Sequence, residues 1–379
     1  MKTRFRSAAF RAVFTPENLV WLLLVVLFTA FRPANAQSLK PGYNKPEYLE
    51  MLRVSQRQVD TLRGDTLPLP EHYRRVYRSP TFGLENRWDL WTGEDRAPVI
   101  SIRGTTSASV SWIENFYAAM VPASGSIQLE KEKSFSYHLA ENKDAMVHVG
   151  WLTALAVLSP TITDHIRSLY KEGHREFIIM GHSQGAAIAY LLRSYLFYET
   201  AAGRLPGDIV YKTYCSAAPK PGNLYYAYDY EHITAGGWGI TVLNALDWVP
   251  ETPFSLQTTT DFNPINPFKR EGVMAAVKKQ PFFQRLFARH AYNRLDKTMR
   301  KSQRTMQRYL GSLMYKAVNK TLPELDEPAY TNGNNYMRAG TPVILMPDDA
   351  YRKTFVQDPK QIFRNHMPGA YYFIAEKQP

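Results

Sequence analysis

One segment of the chain, Glu176 to Leu192 (EFIIMGHSQGAAIAYLL), constrains the fold more than any other. Its apolar run from Phe177 to Met180 has the composition of a buried parallel strand, and the Ala-rich pattern that follows is typical of a helix packed on such a strand. Between the two lies Gly-His-Ser-Gln-Gly, whose glycines let the chain turn sharply at Ser183. The segment therefore predicts an α/β fold with a mostly parallel central sheet.

The pentapeptide alone is a weak indicator, because G-x-S-x-G also occurs by chance in chains of this length. Its context is more specific, since a strand before it and a helix after it are what a nucleophile elbow requires. In that setting the serine lies at a helix N-terminus, where free backbone N–H groups can stabilise an oxyanion. We therefore interpret Ser183 as a candidate nucleophile and the N–H of Gln184 as a candidate oxyanion donor.

A second oxyanion donor is expected from another loop at the same edge of the sheet. The strand-like run Val99 to Ile102 ends in Arg103-Gly104-Thr105-Thr106, and a helix entry follows at Ser111. Thr105 offers both a backbone N–H and a hydroxyl, so it is the second candidate. The alternative is an ordinary strand-to-loop turn.

A serine hydroxyl needs an imidazole to take its proton and a carboxylate to orient that imidazole. In hydrolases built around such an elbow, the acid and then the base follow the serine along the chain. The run Ile240 to Ala245 resembles a core strand, and Asp247 lies just past its end. Asp229 and Asp261 lack such a strand before them, so Asp247 is the candidate acid. The alternative role for Asp247 is to cap a turn.

Three histidines lie well after Ser183, and an acid at Asp247 excludes His232 as the base. His290 falls within a helical pattern among basic residues, where a histidine is usually solvated. His366 falls in a loop before Tyr371, and loops at the sheet edge commonly carry catalytic groups. We favour His366 as the base and keep His290 as the alternative.

Six segments, taken together, resemble the class 3 lipase family, which are α/β-hydrolases of the fungal lipase type. They are Ile102–Thr105, Val147–Trp151, Ile179–Ala187, Ser216–Asn223, Asn244–Pro250, and His366 ahead of Tyr371 and Tyr372. Together the six segments span about Tyr73 to Ile374, which is most of the expected mature chain. It implies an α/β-hydrolase fold and a serine carboxylic ester hydrolase, with a lid after the Arg-Gly-Thr loop.

The resemblance also implies residue roles. Ser183, Asp247 and His366 would form the triad, and Thr105 and Gln184 would form the oxyanion hole. The chain departs from the family pattern in one place, because His366 comes 119 residues after Asp247 and four residues separate it from Tyr371.

The extra length holds a basic segment, residues 265–322, in which 14 Lys or Arg face two acidic residues. Its net charge of +12 equals that of the whole chain. Apolar residues recur in it at helical spacing, at Phe283, Leu286, Phe287, Leu295, Met299, Met306, Leu310, Leu313 and Ala317. Pro281 fits a helix start, and Gly311 is a point at which the helix is expected to divide.

This pattern leaves two interpretations open. The segment is expected to pack its apolar stripe on the hydrolase core with a solvated basic face. The alternative adds a function, in which the basic face meets an anionic membrane or lipid interface and the segment acts as a cap. A second candidate lid is Tyr117 to Met146, whose Gly, Ser and mixed charges indicate a mobile loop.

The N-terminus has the features of a secretory signal. Four basic residues precede the 13-residue apolar run Leu19 to Phe31, and Ala34-Asn35-Ala36 follows it. That run is too short for a membrane span, which needs about 20 apolar residues. We therefore expect cleavage near Ala36, a secreted or periplasmic protein, and a catalytic domain over residues 37–379. With a single cysteine, Cys215, no intrachain disulfide is possible, and burial is its expected role.

No metal or cofactor is expected, since the chain has no H-E-x-x-H, P-loop or G-x-G-x-x-G motif. The export signal and the lack of a nucleic-acid motif argue against a nucleic-acid partner. The sequence thus predicts an exported ester hydrolase acting on lipids through an acyl-enzyme on Ser183. One alternative is an esterase on soluble or polysaccharide-linked acyl esters. Another is a non-catalytic, surface-binding protein on a hydrolase scaffold. The sequence leaves the oligomeric state open.

Overall fold

A computed structural model describes residues 39–58 and 67–378, and the described residues from Pro41 onwards form one compact unit. Its centre is a seven-stranded sheet in the order β1-β2-β3-β8-β9-β11-β13. The sheet is parallel from β3 onwards, and β1 and β2 join it antiparallel. The predicted α/β class is confirmed. The expected signal peptide, residues 1–36, lies outside the described residues.

The strands follow in chain order. They are β1 (Arg74–Arg78), β2 (Trp88–Thr92), β3 (Val99–Ile102), β4 (Met120–Pro122), β5 (Ser124–Glu130), β6 (Lys133–His138), β7 (Met146–His148), β8 (Glu176–His182), β9 (Val210–Ser216), β10 (Gly222–Asn223), β11 (Gly239–Asn244), β12 (Tyr336–Met337) and β13 (Thr341–Leu345). The helices are α1 (Lys45–Gln56), α2 (Ser109–Phe116), α3 (Val149–Lys171), α4 (Gln184–Ala201), α5 (Leu224–Ile233), α6 (Arg270–Lys278), α7 (Phe282–Gln307), α8 (Leu313–Val318), α9 (Asp349–Thr354) and α10 (Pro368–Lys377).

The central strands are buried on both faces because helices cover both. β8, β9 and β11 are buried along nearly their whole length, as expected for parallel strands between two helical layers. Helix α4 packs on β8 and β9 and is itself covered by α3, whereas α1 packs on β8 and contacts α10. Cys215 is buried in β9, as its apolar surroundings predict.

The segment Tyr117–Met146 is not the mobile loop that its composition indicates. It contributes β4 and β7 to a second sheet, of order β12-β10-β7-β4, and forms the β5–β6 hairpin. The run Glu130 to Lys133 makes the turn of that hairpin. Alternating burial along β5 and β6 explains the error, because one face of a hairpin needs few large apolar residues.

The basic segment forms α6 and the 26-residue helix α7, which continues through a π-turn at Arg308–Ser312 into α8. Gly311 lies in that turn, so the helix is distorted there and not divided. The chain returns to the sheet as β13, which pairs with β11. The segment is thus an insertion between two neighbouring strands of the central sheet.

The insertion leaves the N-terminal half of its apolar stripe exposed, contrary to the expectation, while Met299, Met306 and Leu310 farther along are half-buried. Phe283 is 83% exposed, Phe287 75% and Leu295 63%, whereas the polar side chains of Asp296 and Gln303 are buried on α7. Periodicity establishes that a helix has an apolar face, but it does not establish what covers that face. None of the described helices is long and apolar enough to cross a membrane.

Candidate active site

Ser183 lies at the turn between β8 and α4 with a positive φ of 59° and a ψ of −131°. Such backbone is strained for a residue with a side chain and clusters at functional sites. A Cβ on Gly181 would overlap the backbone of Gly185, and one on Gly185 would overlap the carbonyl oxygen of Ile102. The two glycines of the pentapeptide therefore allow β8, α4 and β3 to approach one another closely at Ser183.

Three side chains from distant parts of the chain meet at this turn. The Ser183 hydroxyl lies 2.8 Å from His366 Nε2, and His366 Nδ1 lies 2.7 Å from Asp247 Oδ2. His366 and Asp247 are buried, and Ser183 is half-buried. With Nδ1 donating to the carboxylate, Nε2 is left to accept the serine proton, as nucleophilic catalysis requires.

Asp247 is fixed from two further directions. Its Oδ1 accepts a hydrogen bond from the backbone N–H of Val249 (3.0 Å), and its Oδ2 accepts one from the hydroxyl of Tyr371 (2.7 Å). The carboxylate therefore keeps its orientation toward His366 without relying on the imidazole alone.

His366 is held through its backbone. Asn244, at the end of β11, donates from Nδ2 to the carbonyl oxygen of Asn365 (2.9 Å). His182 donates from Nε2 to the carbonyl oxygen of His366 itself (2.8 Å). These bonds explain how a histidine so far along the chain from Asp247 reaches the nucleophile, because both donors come from the carboxyl ends of central strands.

His182, the residue before the nucleophile, holds neighbouring groups in place. It is fully buried, its Nδ1 accepts from the Ser216 hydroxyl (3.1 Å), and burial with His366 nearby lowers its pKa to about 3. It stays neutral near pH 7, so Nε2 can donate while Nδ1 accepts.

The two candidate oxyanion residues lie side by side. Gln184 is the first residue of α4, so its backbone N–H has no partner within the helix. The Thr105 hydroxyl donates to Gln184 Oε1 (3.0 Å) and accepts from Asn115 Nδ2 (2.9 Å). The Arg-Gly-Thr loop is thereby tied both to α4 and to the end of α2.

The segment Val147–Trp151 supports this loop. Trp151 Nε1 donates to Asn115 Oδ1 (3.1 Å), and His148 Nε2 donates to the Asn115 carbonyl oxygen (3.2 Å). His148 stacks on the Trp151 indole with ring centroids 3.7 Å apart, and burial lowers its pKa to about 3. A neutral imidazole and an indole together hold Asn115 against Thr105.

One buried acid at the site has no counterpart in the sequence interpretation. Glu114, in α2, is fully buried, accepts from Asn86 Nδ2 (2.8 Å), and pairs with Gln184 Nε2. Burial raises its pKa to about 8. Its position among helical residues gave no signal, because Asn86 and Gln184 are remote from it in sequence.

An aromatic wall flanks the base. Phe363 lies 6.0 Å from His366, 5.6 Å from Trp112 and 5.3 Å from Trp248, measured between ring centroids. Trp112 belongs to α2, the helix that follows the Arg-Gly-Thr loop, where the family resemblance implies a lid. Trp248 remains 40% exposed, so the wall opens to solvent beside the imidazole.

The rejected candidates have other surroundings. His290 lies exposed on α7. Asp229 accepts from the Tyr198 hydroxyl, and Asp261 accepts from Thr258 in a turn. Across residues 39–58 and 67–378, no group of three His, Cys, Asp or Glu is arranged to hold a metal ion.

Residues 99–257 match the family model of class 3 lipases. This segment is similar to class 3 lipases. It contains Ser183, Asp247, Thr105 and Gln184. The match supports carboxylic ester hydrolase activity for the chain. The segment ends before the basic insertion and before His366, so the match does not extend to either.

Solved fungal lipases are similar to this chain in structure. The propeptide complex of Rhizomucor miehei lipase is 19% identical, with 56% of this chain and 65% of that chain covered and a TM-score of 0.41. A triacylglycerol lipase from Penicillium expansum is 15% identical, with coverage of 55% and 72% and a TM-score of 0.41. A triacylglycerol lipase described as having a serine protease triad is 19% identical, with coverage of 55% and 73% and a TM-score of 0.40. No curated protein matches the chain.

Proposed function

We propose that the protein is an exported lipase that cleaves long-chain carboxylic esters through an acyl-enzyme on Ser183. The observation that carries this proposal is the unbroken chain of hydrogen bonds from Ser183 Oγ through His366 to Asp247. A buried carboxylate, an imidazole and a hydroxyl in this order are the groups that acyl transfer needs.

The reaction follows from these contacts. His366 Nε2 takes the proton as Ser183 Oγ attacks the ester carbonyl, and Asp247 stabilises the imidazolium that forms. The Gln184 N–H and Thr105 stabilise the oxyanion. Collapse expels the alcohol with the proton from His366 and leaves an ester on Ser183. Water, deprotonated by His366, then attacks that ester, and the carboxylic acid leaves as Ser183 regains its proton.

The aromatic wall favours an apolar acyl chain over a short or sugar-linked one. Trp112, Phe363 and Trp248 line the approach to His366 with ring surface. Each methylene buried against such a wall contributes about 0.8 kcal/mol, which corresponds to roughly a fourfold gain in kcat/KM. The basic insertion supports the further proposal that the enzyme works at an anionic lipid interface.

A series of nitrophenyl esters from acetate to palmitate tests the substrate class. We expect kcat/KM to rise with chain length and to rise further with micellar substrate. Phe363→Ala should lower kcat/KM for octanoate about tenfold, because roughly two methylenes lose their contact, and should leave acetate hydrolysis nearly unchanged. A preference for acetate without an interfacial gain would contradict the lipase proposal and favour an esterase of soluble or polysaccharide-linked esters.

A further inference from the structure

The basic insertion carries an open groove of about 740 Å³ on the helical arm formed by α6 and α7. Six cationic side chains line it, namely Arg270, Lys297, Arg300, Lys301, Arg304 and Arg308. The only carboxylate in its lining is Asp296, which pairs with Arg300 at 2.9 Å. Among the described residues, Lys297, Lys301 and Arg304 pair with no carboxylate. The groove therefore keeps a strong positive charge that α7 itself does not neutralise.

Exposed phenyl rings lie at the other end of α7. Phe282, Phe283 and Phe287 are 57%, 83% and 75% exposed, and Leu286 is 51% exposed. Leu286, Asn293, Lys297, Arg304 and Arg308 are spaced so that they fall on one face of a helix. One face of α7 thus runs from apolar side chains into the cationic groove.

A soluble polyanion would use the charges and leave the phenyl rings in water, at a cost in apolar exposure. A bilayer with anionic headgroups uses both. Cations near such a surface contribute about 1 kcal/mol each, and apolar side chains enter the boundary between headgroups and acyl chains. Charge and apolar exposure on one helical face point to the same partner.

We propose that this arm is a bilayer-docking element, in which the groove binds phosphate groups of anionic phospholipids and Phe283, Leu286 and Phe287 enter the acyl region. The docking proposal deepens the proposed function by naming the surface on which the lipase works. Its biological role rests on the proposed function, whereas the binding itself does not. The residues that carry it lie outside the Ser183, His366 and Asp247 cluster.

Vesicle binding by the inactive Ser183→Ala protein tests the docking element without any hydrolysis. We expect at least tenfold stronger binding to phosphatidylcholine vesicles that contain phosphatidylglycerol than to pure phosphatidylcholine. Lys301→Glu with Arg304→Glu should remove that preference. Phe283→Ser with Phe287→Ser should weaken binding about tenfold even at high salt, where charge is screened. Lys131→Glu with Lys133→Glu, on the exposed β5–β6 turn, and Tyr228→Ser are matched controls that should bind as the parent does.

Variant proteins that carry the same arm substitutions and retain Ser183 should hydrolyse a short soluble ester at the parent rate. A parent protein that does not hydrolyse this ester would refute the proposed function, while the vesicle experiment would still test the docking element.

Vesicle binding that is unchanged in both arm variants would overturn the docking element. So would binding to heparin that requires Lys301 and Arg304 while the Phe variants bind vesicles normally, because the groove would then serve a soluble polyanion. A Phe283→Trp protein whose fluorescence is not quenched by brominated acyl chains would also overturn it.

Glu114 is hydrogen-bonded to one of the two candidate oxyanion residues. It pairs with Gln184 Nε2, and Gln184 Oε1 accepts from the Thr105 hydroxyl. Asn86 holds the other oxygen of Glu114. We infer that Glu114 is a positioning residue for the oxyanion hole. It acts through the Gln184 side chain, which fixes Thr105 beside the nucleophile.

Glu114→Ala should lower kcat for a short ester ten- to a hundredfold with little change in KM, because the ground state does not use the oxyanion hole. Glu114→Gln keeps one acceptor and should recover part of the loss. Gln184→Met keeps the backbone N–H and should lose as much as Glu114→Ala. The double variant should lose no more than either alone, since both break one network. Additive losses, or a lower melting temperature with unchanged kcat, would overturn the inference.

Discussion

Ser183→Ala is expected to lower kcat/KM for a soluble nitrophenyl ester by at least roughly 10⁴-fold while the protein stays folded. Without the hydroxyl, His366 has no nucleophile to deprotonate except water, and only the oxyanion donors and substrate binding remain. The fold should persist because alanine removes one oxygen and keeps the Cβ that the turn already accommodates. Hydrolysis rates together with a melting curve provide the measurement.

Ser134→Ala is the matched control for that substitution. Ser134 lies exposed on β6, so its loss should leave both activity and melting temperature at the parent values. If the Ser183→Ala protein kept more than a tenth of the parent activity, the nucleophile would have to be another residue.

Asp247→Asn is expected to lower kcat by about 10⁴-fold with a small change in KM. An amide NH₂ facing His366 Nδ1 favours the tautomer that carries its proton on Nε2, and that nitrogen can no longer accept the serine proton. The Val249 N–H and the Tyr371 hydroxyl should keep the side chain in place, so the loss should come from protonation and not from misfolding.

The rejected acids serve as controls for that experiment. Asp229→Asn and Asp261→Asn make the same chemical change at positions that accept from Tyr198 and Thr258. Both proteins should retain kcat within about twofold of the parent. An active Asp247→Asn protein, or a large loss at either control, would mean that the acid is assigned to the wrong residue.

The elbow was predictable from sequence because its signals are local. An apolar strand, two glycines and an Ala-rich helix lie within seventeen residues. The close backbone contacts at Gly181 and Gly185 explain why glycine is needed at both positions. The order of acid and base along the chain then selected Asp247 and His366, which the structure brings to Ser183. The roles of these three residues in catalysis remain predictions.

Other parts of the site could not be predicted from the sequence because they depend on contacts between remote segments. Glu114 meets Asn86 and Gln184 only after α2 docks beside α4, and nothing in the sequence around Glu114 indicates either partner. The exposed face of α7 was missed for a related reason. The spacing of Phe283, Leu286 and Phe287 reports an amphipathic helix, whereas burial depends on where the rest of the chain lies.

Labelling by a fluorophosphonate tests the central claim most directly, because the reagent reacts with a serine only when a neighbouring base activates it. Intact-protein mass spectrometry and peptide mapping should show one adduct on the peptide that contains Ser183. The adduct should be absent from Ser183→Ala and form far more slowly in Asp247→Asn and His366→Ala, while His290→Ala should label at the parent rate. A folded parent protein that remains unlabelled, or that is labelled at another residue, would contradict the account.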